Sequence, residues 1–169
     1  MFPLGAPEPL PLALMYELER PECCSVGRAM EILGERWTML IMREAFYGVR
    51  RFSDMQRTLG IARNILSSRL QTLVRAGILE RRRYQEEPER FEYRLTRAGR
   101  DLYPAVIAIM KWGDEHLSGN LGPPVVLRHA CGEEADPVLV CGHCREPLHP
   151  HDVTPEPGPG ASLSAATPV

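Results

Sequence analysis

Lysine is almost missing from this chain. Of its 20 basic residues, Lys111 alone is not arginine. Arginine suits bidentate contacts to phosphate and guanine, and it is equally what a GC-rich genome would encode. Long apolar runs are absent too, and none approaches the length needed to span a bilayer. No basic stretch precedes the first apolar residues, and Pro3, Pro7, Pro9 and Pro11 interrupt them, which argues against a signal peptide. The 5 cysteines do not form the pattern of a secreted disulfide framework. A cytoplasmic protein with reduced thiols and no membrane partner is therefore expected. Catalytic signatures are also missing: there is no Gly-rich phosphate loop, no G-x-S-x-G and no H-E-x-x-H. The carboxylates of the C-terminal part are scattered, so an enzyme is not expected.

What is present is enough for one ordinary domain. The chain has 169 residues, 44% of them hydrophobic, and a formal net charge of −2. That small charge conceals a segregation. Residues 50–100 hold thirteen arginines against six acidic residues, a net of +7, while residues 1–23 and 119–169 are both acidic. Positive charge concentrated in one segment is the electrostatic footprint of a nucleic-acid contact.

Within that segment, winding Ala62 to Ala76 as a helix sorts its residues onto two faces. Ile65, Leu66, Leu70, Leu73 and Val74 make an inward stripe. Asn64, Ser68, Gln71 and Arg75 form a row opposite, flanked by Arg63, Ser67 and Thr72, with no acid among them. These side chains hydrogen-bond base edges and phosphates, although a solvated face of a core helix would share the pattern. Ala62 is a poor N-cap and leaves N–H groups free for a phosphate or for water.

The neighbouring elements follow from caps and breakers. Ser25 begins a helix that Gly34 closes, and a second helix runs from Glu35 to Phe46 with Trp37, Leu40, Ile41 and Ala45 inward. Ser53 with Gln56 reads as a capping box opening a short helix that ends before Gly60. Leu79–Gln85 and Arg90–Leu95 read as antiparallel strands around an acidic tip, residues 86–89. Arg81 and Arg83 share one strand face and Arg82 lies on the other. With Arg90, these are the candidate phosphate contacts. Thr96 caps a long helix from Arg97 to Leu117 that Pro104 should kink, with Leu102, Val106, Ile109 and Gly113 along its stripe. Its wide apolar face calls for a partner helix, most economically from a second copy. Leu12–Arg20 is a further short helix.

The C-terminal part carries a different signal. His129-x-Cys131 is followed after nine residues by Cys141-x2-Cys144, and two thiolates that close in sequence can share one tetrahedral ion. The expected cofactor is a structural zinc held by His129, Cys131, Cys141 and Cys144, with His143, His149 and His151 as competing ligands. So small a segment has too little core to order itself without such a staple. Cys24, beside Cys23 at the start of the first helix, is a redox candidate, because a thiol at a helix N-terminus can be activated.

The text from Cys24 through Arg36-Trp37, Arg43-Glu44, Gly48 to Asp54, Gly60 to Leu70, Gly77 to Arg81, Tyr93 to Arg100 and Trp112-Gly113 resembles the HxlR family of winged helix-turn-helix transcription regulators. The resemblance covers residues 24–118. It implies a homodimer with the Asn64–Ser68 helix in the major groove of double-stranded DNA, a wing from the Arg81–Arg94 hairpin, and dimer contacts from the terminal helices. Some members use a cysteine at the position of Cys24 to sense oxidants; here Ser25 stands where a proline often follows. The expected fold is mainly α with a small β-hairpin wing (α+β). It comprises a Pro-rich arm at 1–23, the winged helix-turn-helix domain at 24–118, a short zinc-ribbon-like extension at 119–153 and a Pro/Gly/Ala tail at 154–169. The expected function is operator binding under control of an oxidant or small-molecule signal. The alternatives are a zinc-ribbon interaction module that uses the winged helix for protein contacts, and an uncharacterised metalloenzyme.

Overall fold

The structure is a computed structural model that describes residues 24–159. The N-terminal arm, Cys23, the Leu12–Arg20 helix and the last ten residues of the tail lie outside them. The chain divides into two compact units, one of residues 30–137 and one to which residues 24–29 and 138–159 belong.

Four helices come first: α1 (Ser25–Leu33), α2 (Arg36–Phe46), α3 (Phe52–Leu59) and α4 (Arg63–Arg75). Gly60 ends α3 in the left-handed region at φ 61°, which glycine enters without a Cβ penalty. The capping box expected at Ser53 is not there. Ser53 lies inside α3, and the N-cap is Arg51, with no side-chain cap bond. The helix starts two residues earlier because Arg51 is held in extended backbone by a bridge to Glu92, while its carbonyl accepts from the N–H groups of Asp54 and Met55.

Strands β1 (Leu79–Gln85) and β2 (Arg90–Leu95) then pair antiparallel, Leu79 opposite Leu95 and Gln85 opposite Arg90. The Tyr93 N–H donates to the Arg50 carbonyl at 2.8 Å, so the segment before α3 is stitched to the outer edge of the hairpin. The single long helix expected after Thr96 is instead two helices, α5 (Arg97–Asp101) and α6 (Tyr103–Leu117). Pro104 sits in the first turn of α6, where its missing N–H costs nothing, so it starts a helix and does not kink one. Thr96 caps α5 as expected and accepts from Gly99 N–H at 3.1 Å.

The core gathers Leu33, Ile41, Met42, Met55, Ile61, Leu66, Leu70, Leu73, Ile78 and Leu79. Each large side chain buried there contributes about 1.5–3 kcal/mol. In α2, Ile41 and Ala45 are buried as expected, together with Thr38, Met42 and Glu44, whereas Trp37 is half-buried. Two expected core positions are on the surface. Ile65 is 38% exposed, and Ile109 on α6 is 58% exposed, because the core reaches α6 only through Leu102 and Val106.

Candidate nucleic-acid interface

Leu66, Leu70 and Leu73 bury one side of α4 completely, which fixes its rotation about its own axis. The opposite side presents Arg63, Asn64, Ser68, Gln71 and Arg75 to solvent, with Ser67 and Thr72 half-exposed at its borders. Among the described residues the side chains of Asn64, Ser68 and Gln71 make no hydrogen bond. Their neighbours are partly engaged. The Thr72 hydroxyl donates to the Ser68 carbonyl at 3.2 Å, and Arg75 reaches the Thr72 hydroxyl at 3.4 Å. Arg63 stacks over the Phe52 ring at 5.3 Å, which holds its guanidinium at the N-terminal end of the row. Arg69 is half-buried 3.8 Å from Glu35, on the edge of the helix away from the polar row. Ala62 is the N-cap of α4 and supplies no side-chain bond, so the first-turn N–H groups stay open to an anion.

The wing arginines differ from one another. Arg81 lies opposite Tyr93 and Arg83 opposite Phe91, on one face of the hairpin, while Arg82 lies opposite Glu92 on the other. Arg81 packs flat on the Phe91 ring with its guanidinium carbon 3.4 Å from the ring centroid. Arg83 is held at the tip by Glu86 at 3.6 Å and Glu89 at 3.5 Å. The acidic tip thus supplies counter-charges to the wing's own arginine. Arg82 and Arg90 are exposed and make no ion pair among the described residues.

Sequence reasoning overlooked Arg50, Arg51 and Arg57. They line a concavity of about 470 Å³ beside Asp54, Thr58 and Glu92. Arg51 stacks on the Tyr84 ring at 4.6 Å, and Arg57 pairs with Asp54 at 2.8 Å. The signal was in the charge excess of residues 50–100, but it takes the Arg51–Glu92 bridge and the Tyr93–Arg50 hydrogen bond to bring these side chains beside the wing.

The expected zinc ligands occur as two pairs. In the larger unit a hairpin turns at His129–Gly132, closed by Ala135 N–H donating to the Leu127 carbonyl at 2.8 Å. His129 Nδ1 there lies 3.2 Å from Cys131 Sγ. In the other unit Cys141 N–H donates to the Glu146 carbonyl and Leu148 N–H to the Leu139 carbonyl, both at 2.9 Å, around the turn holding Cys141 and Cys144. The Cys141 thiol is pulled below its ordinary value, first by the backbone N–H of Cys144, then by that of His143 and by the Cys144 side chain. Backbone N–H groups aimed at a sulfur are the supporting contacts a metal-bound thiolate uses. Each pair therefore fits half of a tetrahedral zinc site, and within either unit no third His, Cys, Asp or Glu among the described residues joins it. His149 and His151 stack on each other at 5.4 Å. Cys24 is half-buried at the start of α1, its carbonyl accepting from Arg28 N–H at 2.9 Å.

Comparison with known proteins identifies the family. The model of the HxlR-like helix-turn-helix family matches residues 32–120. An uncharacterized HTH-type transcriptional regulator of Mycobacterium tuberculosis is 58% identical over 144 residues, covering 85% of this chain and 91% of that protein. A second, from Synechocystis, is 36% identical over 100 residues, covering 59% and 74%. The crystal structure of PA1607 superposes with a TM-score of 0.72 at 35% identity, covering 79% of this chain and 94% of that one. The redox regulator HypR in its reduced form superposes at 0.52 with 29% identity, covering 54% and 92%.

Proposed function

This chain belongs to the HxlR-like helix-turn-helix family and is a DNA-binding transcription regulator, and from that premise we propose that it works as a homodimer on a two-half-site operator. The observation that carries the reading is the unengaged row Asn64, Ser68 and Gln71 on the exposed face of α4. In the major groove, such amide and hydroxyl groups discriminate base edges. Arg63 and Arg75 at the two ends of the row, and Arg82 and Arg90 on the wing, supply phosphate contacts that set register without reading sequence. Arg50, Arg51 and Arg57 add a second basic surface. The wing arginines are not equivalent, since Arg83 already has its acids and Arg81 its aromatic ring.

The dimer reading rests on α6. Ile109, Trp112 and Leu117 are 58%, 56% and 73% exposed on a helix with no fully buried residue. Apolar area of that kind at a domain edge is covered in a symmetric oligomer by the same helix of a second copy. Cys24 is the candidate oxidant-sensing thiol. HypR, a redox regulator, shares the fold, and Cys24 stands at the opening of α1.

The extension is read as zinc-dependent. His129 with Cys131, and Cys141 with Cys144, are each a two-donor loop, and one ion needs four donors to close. A zinc held by all four donors would be structural and supply no further chemistry, since four protein ligands leave no position for water or substrate.

Fluorescence-anisotropy titrations with genomic operator fragments and random duplexes at several salt concentrations test the central reading. Tight, sequence-selective, salt-dependent binding by a dimer is the expected result. Equal affinity for operator and random duplex at every salt concentration would refute it.

A further inference from the structure

Behind α6, on the side away from Ile109 and Trp112, lies a cavity of about 420 Å³, lined by none of the residues assigned to DNA contact. One wall is α6, through Ile107 and Met110. The other is the extension, through Val125, Val126 and Leu127. The extension segment closes over the helix because Lys111 reaches across to it, pairing with the Asp136 carboxylate and donating to the Pro137 carbonyl at 3.2 Å. These wall residues of the extension lie past residue 120, where the match to the family ends. That wall of the cavity thus lies outside the part of the chain that the family match covers.

Its volume is that of a small-molecule site, and its walls are mainly aliphatic, with a methionine that adapts to irregular shapes. The charge around it is one-sided. Asp114, Glu115, Glu134 and Asp136 face it against the single cation Lys111. Lys111 is spoken for by Asp136, whose hydrogen bond also raises the ammonium pKa and keeps it charged. Asp114 and Glu134 have no ion-pair partner among the described residues. An anion entering would meet uncompensated carboxylates. A neutral apolar guest would fill the walls but leave the carboxylates unpaired. Only a cation on an apolar body satisfies both.

We infer that the cavity between α6 and the extension binds a small lipophilic cation, an aryl- or alkyl-ammonium whose body lies against Ile107, Met110 and Leu127 and whose charge faces Asp114 and Glu134. The site does not depend on the operator reading, and its test needs no DNA.

The test is calorimetric titration of the full chain with three probes that share one body: phenylbutyl-trimethylammonium, phenylbutanol and phenylbutyrate. The expected result is one cation per chain, bound about tenfold more tightly than the alcohol at low salt, with the carboxylate weakest. Asp114→Asn combined with Glu134→Gln, nearly isosteric, should erase the cation's advantage and leave alcohol binding as it was. Ile107→Trp should fill the cavity and abolish binding of all three. Equal affinities for the three probes, or cation binding that survives Ile107→Trp in a protein of native circular dichroism, would overturn the inference. So would failure of every probe to bind. If light scattering then showed that Ile107→Trp had changed the oligomeric state, the face would belong to a second copy of the chain.

Discussion

Gly99 sits against Ile78 so closely that a Cβ added to it would lie 2.2 Å from the Ile78 carbonyl oxygen. The same carbonyl accepts from the Thr96 N–H at 3.1 Å, and the Thr96 hydroxyl donates to the adjacent Gly77 carbonyl at 2.6 Å. The start of α5 is therefore fastened to the junction between α4 and β1, and no side chain fits between them. Gly99→Ala should destabilise the protein by about 1–3 kcal/mol through overpacking against fixed backbone. Chemical denaturation checks this, and an unchanged midpoint would show that the junction can spread.

Base readout should fail when the free row on α4 is truncated. Asn64→Ala or Gln71→Ala is expected to cost about 1–3 kcal/mol of operator binding and to relax base preference, with folding untouched because both side chains are exposed. Competition against single-base operator variants is the measurement. Full discrimination by both variants would take the reading role away from α4.

The wing arginines should separate in a salt titration. Arg82→Ala is expected to lower the slope of log affinity against log salt by about one unit, the signature of one lost phosphate contact. Arg83→Ala should change it less, because Glu86 and Glu89 already neutralise that side chain. The reverse order of effects would mean that the acidic tip releases Arg83 on DNA.

Assembly can be tested without damaging the fold. Val106 packs against the domain's own core, so a charge there would confuse unfolding with dissociation. Ile109 is exposed, and Ile109→Glu should give a folded monomer with weakened operator binding. Sedimentation of the unsubstituted protein as a monomer at working concentration would remove the dimer from the proposal.

Zinc is decided by elemental analysis of protein purified without chelator. About one metal per chain is expected, and its affinity should fall as acid protonates the cysteine ligands. Stripping it should leave the winged-helix core folded and free the thiols for alkylation. A chain with well under one metal and freely alkylated Cys141 and Cys144 would have no such site.

How much of this could be read from sequence differs from element to element. The hairpin was legible to the residue, Leu79–Gln85 and Arg90–Leu95, since two runs bearing arginine and aromatic residues flank an acidic, Pro-containing tip. The polar face of α4 was legible because three leucines at helical spacing fix the opposite side. Ile65 was misplaced because it lies at the margin of that stripe, where helical periodicity cannot tell inside from edge. Ser53 was a sound local cap that lost to a non-local bond, the Arg51–Glu92 bridge, which starts α3 two residues earlier. The basic concavity at Arg50, Arg51 and Arg57 escaped for the same reason. It is made by a contact across forty positions of chain, and no local pattern records it.

The bond from Tyr93 N–H to the Arg50 carbonyl has a mechanical consequence. It welds the wing to the entry of α3, so the reading helix and the hairpin form one solid jaw that cannot change its own gape. In a homodimer of such jaws, any tolerance for spacing between the two DNA half-sites has to come from elsewhere. Leu102, where α5 hands over to α6, is packed against the core and adds no slack. One base pair inserted between half-sites swings the second by about a tenth of a helical turn. That swing must be taken up in the duplex itself, so the protein should act as a caliper of nearly fixed opening.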